Sequence, residues 1–529
     1  MGIYLNPKAI AMEISRNSAI YVDKSGLIAF TNSVINTDDR YLCVSRPRRF
    51  GKTMAANMLA AYYSKGCDNA ELFDDLAISK HPSYDEHRNK YNVLFINTLD
   101  LWRRGRDFEG MCQRLSKLTL EGLTKLYPQI TWREPELLSL LLQQAFEETG
   151  DKFVIIIDEW DCLLREVPDD SQVLRSYLHY LQDLLKDKAY VALAYITGIL
   201  PVRKYGSQSA LNMFREYTMT NAFQLAEFTG FTESEVRNLC QLYNMDFNEV
   251  QQWYDGYRLG HDLHIYSPCS VVQAMRTREC ANFWTSTESF TSLKQWLFMD
   301  FDDMRSAVTN LLAGANISVD KNCFNNSFSD IDSRDSVLTL LVHLGYLGYL
   351  KDSQEVFVPN LEIASELASA LKDSAWHEIA TALNLSQKAL KAVWNMDEEF
   401  VAKTIERAHY ETSVLDYNSE KALRYTVLFA FYTARQYYNV VQECPAGKGF
   451  ADMIFLPTAR YAHKPALIIE LKWDNDANTA LKQIKEKNYL QALDGYTGQV
   501  LLVGISYDKE TKKHECHIKS VECGVLRVE

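Results

Sequence analysis

One short segment of the chain has the residue types and spacing of a phosphate-binding loop. The tripeptide Gly51–Thr53 (GKT) follows the apolar run Tyr41–Val44 and precedes a helical pattern over residues 54–65. In such a loop, backbone N–H groups hold phosphate oxygens, the lysine reaches the β and γ phosphates, and the hydroxyl binds Mg²⁺. The general form, G-x-x-x-x-G-K-[ST], has a glycine where this chain has Arg46. The interpretation therefore depends on the strand and the helix on either side.

A pair of acids at the end of another apolar run would complete a nucleotide site. The run Phe153–Ile157 ends at Asp158 and Glu159. Asp158 would hold Mg²⁺ through water, and Glu159 would polarise the attacking water. Taken alone, GKT is more often a helix start with a surface lysine, and the apolar run is a buried strand with a polar end. Because the two occur in this order and on these elements, they favour ATP as a ligand.

Further residues are candidates for contact with the nucleotide. Thr197, at the end of the next predicted strand, is placed to sense the γ-phosphate. Arg203 could act as an arginine in cis, although a solvated surface cation explains it equally well. The residues predicted to bind nucleotide are Arg46, Pro47, Arg48, Arg49, Phe50, Gly51, Lys52, Thr53, Met54, Asp158, Thr197 and Arg203, and Thr53 and Asp158 are also predicted to bind Mg²⁺.

A second set of chemically capable residues lies towards the C-terminus. Glu470 lies on the predicted strand Ala466–Leu471 and Lys472 directly follows it, so in extended backbone their side chains point to one face. Asp452 follows the glycine turn Gly447–Phe450 on the preceding strand of a predicted hairpin. Carboxylates that converge on Mg²⁺ can clamp a scissile phosphate, while a cation orients the attacking water. The pattern predicts a metal-dependent nuclease site.

Two predicted helices contribute polar residues to this second set. Glu420, on the preceding helix, would complete the metal shell, and Gln483, on the following helix with Lys487 and Tyr489, would contact the phosphate or hold the water. An E-x-K pattern alone is usually the exposed half of an edge strand, so these additions carry the interpretation. The predicted catalytic residues are Glu159, Asp452, Glu470, Lys472 and Gln483, and the predicted nuclease metal ligands are Glu420, Asp452 and Glu470.

The elements that must position these residues predict an α/β chain of three domains. In residues 1–224, apolar strands alternate with helices, which is typical of a mostly parallel sheet covered on both faces. Residues 225–384 are read as a helical lid or spacer in which no strong apolar strand recurs. Residues 385–529 start with a helix capped near Ser386 and continue as a small mixed sheet with a helix over Thr479–Leu493.

Several segments resemble the AAA-ATPase-like family, whose members are mainly bacterial and usually carry a C-terminal PD-(D/E)XK nuclease-superfamily domain. They are YVDK (21–24), RPRRFGKT (46–53), IDE (157–159), SALN (209–212) and WYDGY (253–257). The family's version of the loop accommodates Arg46. The resemblance implies a P-loop ATPase domain that uses ATP and Mg²⁺. It also implies a restriction-endonuclease-like domain that uses Mg²⁺ or Mn²⁺, with Ala451-Asp452 at the P-D position and Glu420, Glu470, Lys472 and Gln483 at the other motifs.

Composition narrows the function classes. The net charge of −13 argues against a protein that coats nucleic acid through bulk charge. Residues 385–529 contain 19 Lys+Arg and 19 Asp+Glu, so the excess acidity lies in residues 1–384. The 11 cysteines include no C-x-x-C pair and are expected to be reduced core residues of a cytoplasmic protein. No signal-peptide core and no apolar run of about 18 residues occurs, which predicts neither secretion nor membrane spanning.

The leading hypothesis is an ATP-binding and hydrolysing protein whose nucleotide state controls a C-terminal Mg²⁺-dependent nuclease acting on DNA or RNA. The domain pairing suggests a role in defence or mobile-element biology. An alternative is a nucleotide-dependent switch or scaffold whose C-terminal unit binds nucleic acid without cutting it, and the neutral charge of that unit favours this reading. A third hypothesis is an ATPase that acts on a protein partner, with an oligomer also conceivable.

Overall fold

The computed structural model describes most of the chain. The described residues are 2–65, 67, 69–202, 211–260, 262–284, 296, 297, 299, 301, 303–312, 314–324, 331–372, 377–411, 420–447, 449–458, 461–474, 476–493, 496, 498–511 and 513–522. Arg203, predicted to reach the nucleotide, lies outside them. The described strands, β1 to β16, are Tyr41–Ser45, Asn92–Asn97, Phe153–Asp158, Val191–Gly198, Arg215–Tyr217, Phe231–Thr232, Tyr257–Leu259, Leu263–Tyr266, Ile317–Ser318, Gly348–Leu350, Glu355–Phe357, Tyr438–Ala446, Gly449–Pro457, Ala466–Trp473, Gln499–Asp508 and Lys513–Glu522.

Helices occupy much of the remaining described chain. The described α-helices, α1 to α19, are Ile10–Arg16, Gly26–Val34, Lys52–Tyr63, Tyr84–His87, Thr98–Arg103, Phe108–Leu126, Leu138–Thr149, Cys162–Glu166, Ser171–Leu185, Glu233–Tyr243, Phe247–Tyr254, Pro268–Thr277, Met304–Leu312, Arg334–Leu344, Leu361–Lys372, His377–Trp394, Glu398–Glu411, Glu420–Ala430 and Ala477–Glu486. Short 3₁₀ helices span Ala70–Leu72, Ala77–Lys80, Phe223–Phe228, Lys321–Cys323, Tyr432–Gln436 and Tyr489–Leu493. Among the described helices, none is long and apolar enough to cross a membrane.

The chain divides into two compact units. The first comprises Met1–Val250, Tyr254–Glu279 and Val319–Val356, and the second comprises Gln251–Trp253, Cys280–Ser318 and Phe357–Glu529. The division into three domains at residues 224 and 384 stays a prediction.

A five-stranded parallel sheet in the order β2-β3-β4-β1-β5 forms the centre of the first unit. Its strands read as continuous apolar runs because both faces are covered: Ile155 and Ile157 enter one core, and Val154 and Ile156 enter the other. The predicted parallel sheet with two covered faces is confirmed. Since parallel strands end at the same edge, the ends of β1, β3 and β4 are adjacent. This is the edge at which the predicted nucleotide residues lie.

Short strands follow in the segment that was predicted to be helical. Strands β6, β8 and β7 form a three-stranded antiparallel sheet within the first unit. Each strand contains two to four residues. Such runs are too short to show a period of two, so hydrophobic periodicity could not indicate them.

A five-stranded mixed sheet in the order β12-β13-β14-β15-β16 dominates the second unit. Only the β14–β15 pair is parallel, and α19 connects these two strands. Ile484 of α19 packs in one core with Ile468 of β14 and Leu502 of β15. Gly504 permits the close approach of the helix, because a Cβ atom there would lie 2.4 Å from the Ala477 carbonyl oxygen. The predicted mixed sheet is confirmed.

Two predicted helix boundaries in the second unit were wrong. Ser386 lies inside α16 instead of capping a helix, and its hydroxyl accepts a hydrogen bond of 3.0 Å from the Thr433 N–H. It therefore caps the 3₁₀ helix Tyr432–Gln436, which is distant in sequence. The helix predicted over Thr479–Leu493 ends at Glu486, and a 3₁₀ turn over Tyr489–Leu493 completes it.

Candidate nucleotide and nuclease sites

The loop between β1 and α3 has the geometry expected of a phosphate cradle. Gly51 has a φ of +86°, a left-handed conformation that favours glycine at the start of α3. The side chain of Lys52 crosses the loop, and its Nζ donates hydrogen bonds to the carbonyl oxygens of Arg46 (3.0 Å) and Pro47 (2.8 Å). Burial lowers the pKa of Lys52. The ammonium group thus lies inside the loop, hydrogen-bonded to carbonyl oxygens that an incoming phosphate could replace.

Arg46 has a different position from the one its predicted role requires. Its guanidinium group is fully buried and donates to the carbonyl oxygens of Ser45 (2.8 Å), Tyr217 (2.8 Å) and Leu225 (3.3 Å). Burial lowers the pKa of Arg46 to about 10. The side chain joins the loop to β5 and to the 3₁₀ helix Phe223–Phe228. Because this side chain is bound inside the protein, a nucleotide would contact the backbone of Arg46 and not its guanidinium group.

The other loop residues anchor the turn or lie at its surface. Phe50 is buried and packs edge-to-face on Tyr257, with ring centroids 5.1 Å apart, and its carbonyl accepts a hydrogen bond from the Gly230 N–H. Arg48 and Arg49 are half-buried, and Met54 is half-exposed. Tyr257 belongs to the WYDGY segment, so that motif contributes core packing beneath the loop.

Thr53 and Asp158, the residues predicted to bind Mg²⁺, are in direct contact. The Thr53 hydroxyl donates to Asp158 Oδ2 at 2.8 Å, and Asn97 at the end of β2 donates to the same oxygen at 3.4 Å. Burial, reinforced by the neighbouring Glu159 charge, raises the pKa of Asp158 to about 6. A hydroxyl and a carboxylate are hard oxygen ligands of the kind Mg²⁺ prefers. These two residues therefore fit the metal predicted at this site.

Glu159 is held away from its predicted role by an ion pair. It has a φ of +56°, a strained conformation for a residue other than glycine, and its carboxylate pairs with Arg165. Arg165 Nε also lies 3.4 Å from Oδ2 of Asp161, which is fully buried. The same Asp161 oxygen accepts the N–H groups of Ile199 and Leu200 at 3.0 and 2.9 Å. Arg165 thus links the predicted base to the loop after β4.

Thr197 is fully buried at the end of β4. Its hydroxyl donates to the Val44 carbonyl oxygen at 3.0 Å, which joins β4 to β1. Sequence reasoning did not single out Asp161 and Arg165. Their i, i+4 spacing, which allows an ion pair on one helical face, was the available signal.

The predicted nuclease residues meet where β13 and β14 diverge. Asp452 Oδ2 accepts the Leu471 N–H at 2.8 Å, and Lys472 Nζ lies 3.1 Å from Glu470 Oε1. The amide of Gln483 on α19 donates to the same Glu470 oxygen and to the Tyr489 hydroxyl. The structure therefore brings Asp452, Glu470, Lys472 and Gln483 together.

Glu470 is the most buried member of this group. Its side chain is 2% exposed, and burial together with the adjacent Asp452 charge raises its pKa to about 7. Within the described residues, its second oxygen, Oε2, is buried and accepts no well-formed hydrogen bond, although the Asp452 N–H is near enough to lower the pKa of the carboxyl. An unpaired buried carboxylate oxygen is costly, and a bound cation would satisfy it. Asp452 and Glu470 therefore fit a divalent cation, which would clamp a scissile phosphate and activate water.

The metal set has two described members. Within the described residues, no group of three or more His, Cys, Asp or Glu side chains could hold a metal ion. Glu420 begins α18, but its side chain lies outside the described part, so its role as a third ligand stays a prediction.

A glycine turn borders the acid pair. Gly447 has a φ of +52°, and a Cβ atom there would lie 2.1 Å from the Lys487 carbonyl oxygen. At Gly449, a Cβ atom would lie 2.9 Å from Lys487 Cδ. The turn is therefore packed against the segment that follows α19. This packing places the Lys487 side chain beside the turn that leads to Asp452.

Comparisons with known proteins match two parts of the chain to known families. Residues 11–207 match the family described as "Predicted AAA-ATPase", and residues 419–516 match the PD-(D/E)XK nuclease superfamily. The chain thus contains an AAA-ATPase-like domain followed by a PD-(D/E)XK nuclease-superfamily domain, which confirms the resemblance seen in the sequence.

The chain is similar to an uncharacterized protein encoded in the vnfD 5' region of Azotobacter chroococcum, with 25% identity over 511 residues that cover 93% of each protein. It also aligns with the structure of the Aeropyrum pernix Orc1 protein in complex with DNA. That alignment has 13% identity, covers 70% of this chain and 97% of the other, and has a TM-score of 0.25, too low to support an argument.

Proposed function

We propose that this protein binds and hydrolyses ATP and that its nucleotide state controls a C-terminal, divalent-metal-dependent nuclease that cuts DNA or RNA. The observation that carries the proposal is the buried Glu470 carboxylate. One of its oxygens is bound by Lys472 and Gln483, and the other, within the described residues, accepts no well-formed hydrogen bond although the Asp452 N–H is nearby. A divalent cation would bind this carboxylate, and the adjacent Lys472 would contact a phosphate group.

The contacts around Lys52 support the nucleotide half of the proposal. Lys52 would exchange its two carbonyl partners for phosphate oxygens, and Thr53 with Asp158 would hold Mg²⁺. Hydrolysis also requires a base that reaches water, and Glu159 is bound to Arg165. Release of Glu159 would therefore accompany nucleotide binding.

Lysines of the unit that contains the acid pair support the nuclease half. Lys472 is 16% exposed, so its ammonium group can meet a phosphate at the surface. Lys485 lies close enough to Lys519 that the second ammonium group lowers the pKa of the first. Two lysines so near each other favour a polyanion as their partner. In an otherwise neutral unit, this local charge suits a nucleic acid.

Cleavage by the full-length protein tests the proposal. Supercoiled plasmid and a single-stranded RNA are incubated with Mg²⁺ or Mn²⁺, with and without ATP. We expect metal-dependent cleavage that Glu470→Gln and Lys472→Met abolish. Lys482→Met is the matched control, because Lys482 on α19 is exposed and pairs only loosely, at 3.7 Å, with Glu486. Cleavage by the Glu470→Gln protein at the wild-type rate would refute the assignment.

One observation favours the non-cleaving alternative. Both oxygens of Asp452 are hydrogen-bonded, to Arg424 and to the Leu471 N–H. A module that only binds nucleic acid could keep Asp452 in this state permanently. Nucleic-acid binding that is unaffected by Glu470→Gln, without any cleavage, would support this alternative.

A biological role in defence or mobile-element control rests on the domain pairing alone. A strain that expresses the wild-type protein is compared with one that expresses Glu470→Gln during phage infection and plasmid transfer. We expect protection that depends on Glu470. Equal plaque counts and transfer frequencies for the two strains would remove this part of the proposal.

A further inference from the structure

Arg424 joins two acids at the nuclease site. It lies on α18, one helical turn after Glu420. Its Nη2 donates to Asp452 Oδ1 at 3.1 Å, and its Nη1 pairs with Glu443. Arg424 and Glu443 lie outside the short sequence motifs that resemble the two families. Arg424 and Asp452 are largely buried, with side chains 15% and 11% exposed, whereas Glu443 is 68% exposed.

The charges around the acid pair explain why an arginine is needed there. Asp452 and Glu470 lie beside each other, and two facing carboxylates repel unless each has a cation. Lys472 serves Glu470, and Arg424 serves Asp452. A divalent cation bound between the two acids would supply the same compensation. Arg424 and such a cation would therefore compete for the same oxygen of Asp452.

Glu443 offers Arg424 a second partner. The pairs Gln442–Met453 and Cys444–Ala451 place Glu443 across the hairpin from Asp452. Glu443 has a φ of +47° in the middle of β12, a conformation that strands rarely contain outside functional positions. Because its carboxylate is exposed and already bound to Arg424, this ion pair can persist when Asp452 turns to another cation.

We propose that Arg424 is a displaceable counter-ion: it neutralises Asp452 in the metal-free protein and is retained by Glu443 when a divalent cation binds Asp452 and Glu470. Arg424 is a positioning residue in this scheme, because it acts through Asp452. The inference deepens the proposed nuclease function, which supplies the identity of the cation site. Its physical content is a competition that a binding experiment measures without any cleavage.

The test is a titration of the full-length protein with Mn²⁺, in which water-proton relaxation measures the bound metal. The Mn²⁺ binding that is lost in the Glu470→Gln variant is assigned to the nuclease site. Arg424→Met removes the competitor, so Mn²⁺ should bind about tenfold more tightly, within the usual range of coupling between two ligands. Glu443→Gln removes the second partner and commits Arg424 to Asp452, so Mn²⁺ should bind about threefold more weakly.

Opposite shifts distinguish this role from a purely structural one. If Arg424 only held Asp452 in place, both variants would bind Mn²⁺ more weakly or with unchanged affinity, and either result would overturn the proposal. Lys403→Met is the matched control, since Lys403 forms an exposed ion pair with Glu399 in the same unit. If Arg424→Met fails to fold, Arg424→Lys replaces it. The shorter side chain cannot bridge both acids, so tighter binding is expected and unchanged binding contradicts the proposal.

Plasmid cleavage measured in parallel separates this inference from the proposed function. If the wild-type protein cuts nothing and Arg424→Met binds Mn²⁺ more tightly, the nuclease proposal is refuted and the counter-ion proposal stands. A wild-type protein that cuts, combined with unchanged Mn²⁺ binding by Arg424→Met, would retain the nuclease and refute the counter-ion.

Discussion

The nucleotide site and the nuclease site each combine a lysine with carboxylates at strand ends, but the lysines have opposite partners. Lys52 is bound by two neutral carbonyl oxygens, whereas Lys472 is bound to the Glu470 carboxylate. The hydrogen bonds of Lys52 go to neutral oxygens that an anion can replace, although the charges of Glu159, Asp161 and Asp158 act on it from nearby. The Glu470 carboxylate, in contrast, is buried with one oxygen that accepts no well-formed hydrogen bond from the described residues. The first site is therefore prepared for an anion, such as a nucleotide phosphate. The second is prepared for a cation.

The acids of the two sites also differ in whether the proposed metal ligands have neutral or cationic partners. At the nucleotide site, Asp158 is bound by the neutral Thr53 hydroxyl, and the catalytic candidate Glu159 is bound by Arg165. At the nuclease site, each acid has its own cation, Arg424 for Asp452 and Lys472 for Glu470. At the nucleotide site, the ion pair that would open on binding is Glu159–Arg165, and Glu159 is the residue after the proposed metal ligand Asp158. At the nuclease site, the corresponding ion pair is Arg424–Asp452, which involves a proposed metal ligand itself.

The largest expected effect is at the nuclease acid. Glu470→Gln keeps the hydrogen bonds of the side chain but removes its charge, so cleavage should fall by about 10³-fold. ATP affinity should not change, because the substitution lies in the other compact unit. Single-turnover plasmid cleavage and fluorescent-nucleotide binding measure the two quantities. A loss of ATP affinity in this variant would break the comparison between an anion site and a cation site.

Removal of the loop lysine should have the next largest effect. Lys52→Ala should weaken ATP binding by about 100-fold, because a charge-assisted hydrogen bond to phosphate is lost in a buried loop. Mn²⁺ affinity at the nuclease site should be unchanged. Fluorescent-nucleotide titration and Mn²⁺ relaxation measure the two affinities. ATP binding equal to that of the wild type would show that the loop is not a phosphate site.

A buried histidine near Arg46 predicts how the first unit responds to pH. Burial, with smaller contributions from Arg46 and Lys321, lowers the pKa of His343 to about 3. The unfolded chain, with a histidine pKa of about 6.5, binds this proton first, so stability should decrease as the pH falls below 6.5. The loss should reach about 2 kcal/mol at pH 5. Urea unfolding at pH 7.5 and pH 5 measures it.

His343→Leu removes the titrating group and is the control for this pH effect. The difference between its unfolding free energies at the two pH values should be smaller than in the wild type by about 2 kcal/mol. An unchanged difference would mean that other groups cause the acid sensitivity.

The smallest expected effect concerns Thr53. Thr53→Val removes the hydroxyl that meets Asp158, so the gain in ATP affinity on addition of Mg²⁺ should shrink by about tenfold. ATP binding without Mg²⁺ should be nearly unchanged. Nucleotide titrations with Mg²⁺ and with a chelator measure both. Equal losses under the two conditions would assign Thr53 to the phosphate instead of the metal.

The sequence predicts the two main sheets well because their strands are buried on both faces or alternate regularly. The runs Phe153–Ile157 and Ala466–Leu471 lie within β3 and β14, and the chemistry-bearing residues lie at or directly after their ends. Spacing also predicts the Glu470–Lys472 pair, since residues i and i+2 share a strand face.

The partners of these residues could not be predicted, because they come from distant parts of the chain. Arg46 binds carbonyl groups of Tyr217 and Leu225, and Arg424 binds Glu443 and Asp452. The local sequence around an arginine does not show whether its side chain is exposed or bound to residues that are distant in the chain. The cap predicted at Ser386 was wrong for the same reason: its hydroxyl accepts the N–H of Thr433, 47 residues later, beyond the reach of local capping rules.

Control of the nuclease by nucleotide is the proposed link between the two sites. The most direct test is the rate of plasmid cleavage by the full-length protein in Mn²⁺, with ATP, with ADP and without nucleotide, for the wild type and for Lys52→Ala. We expect a rate that depends on the nucleotide in the wild type and is the same under all three conditions in Lys52→Ala. Equal wild-type rates under all three conditions would contradict it.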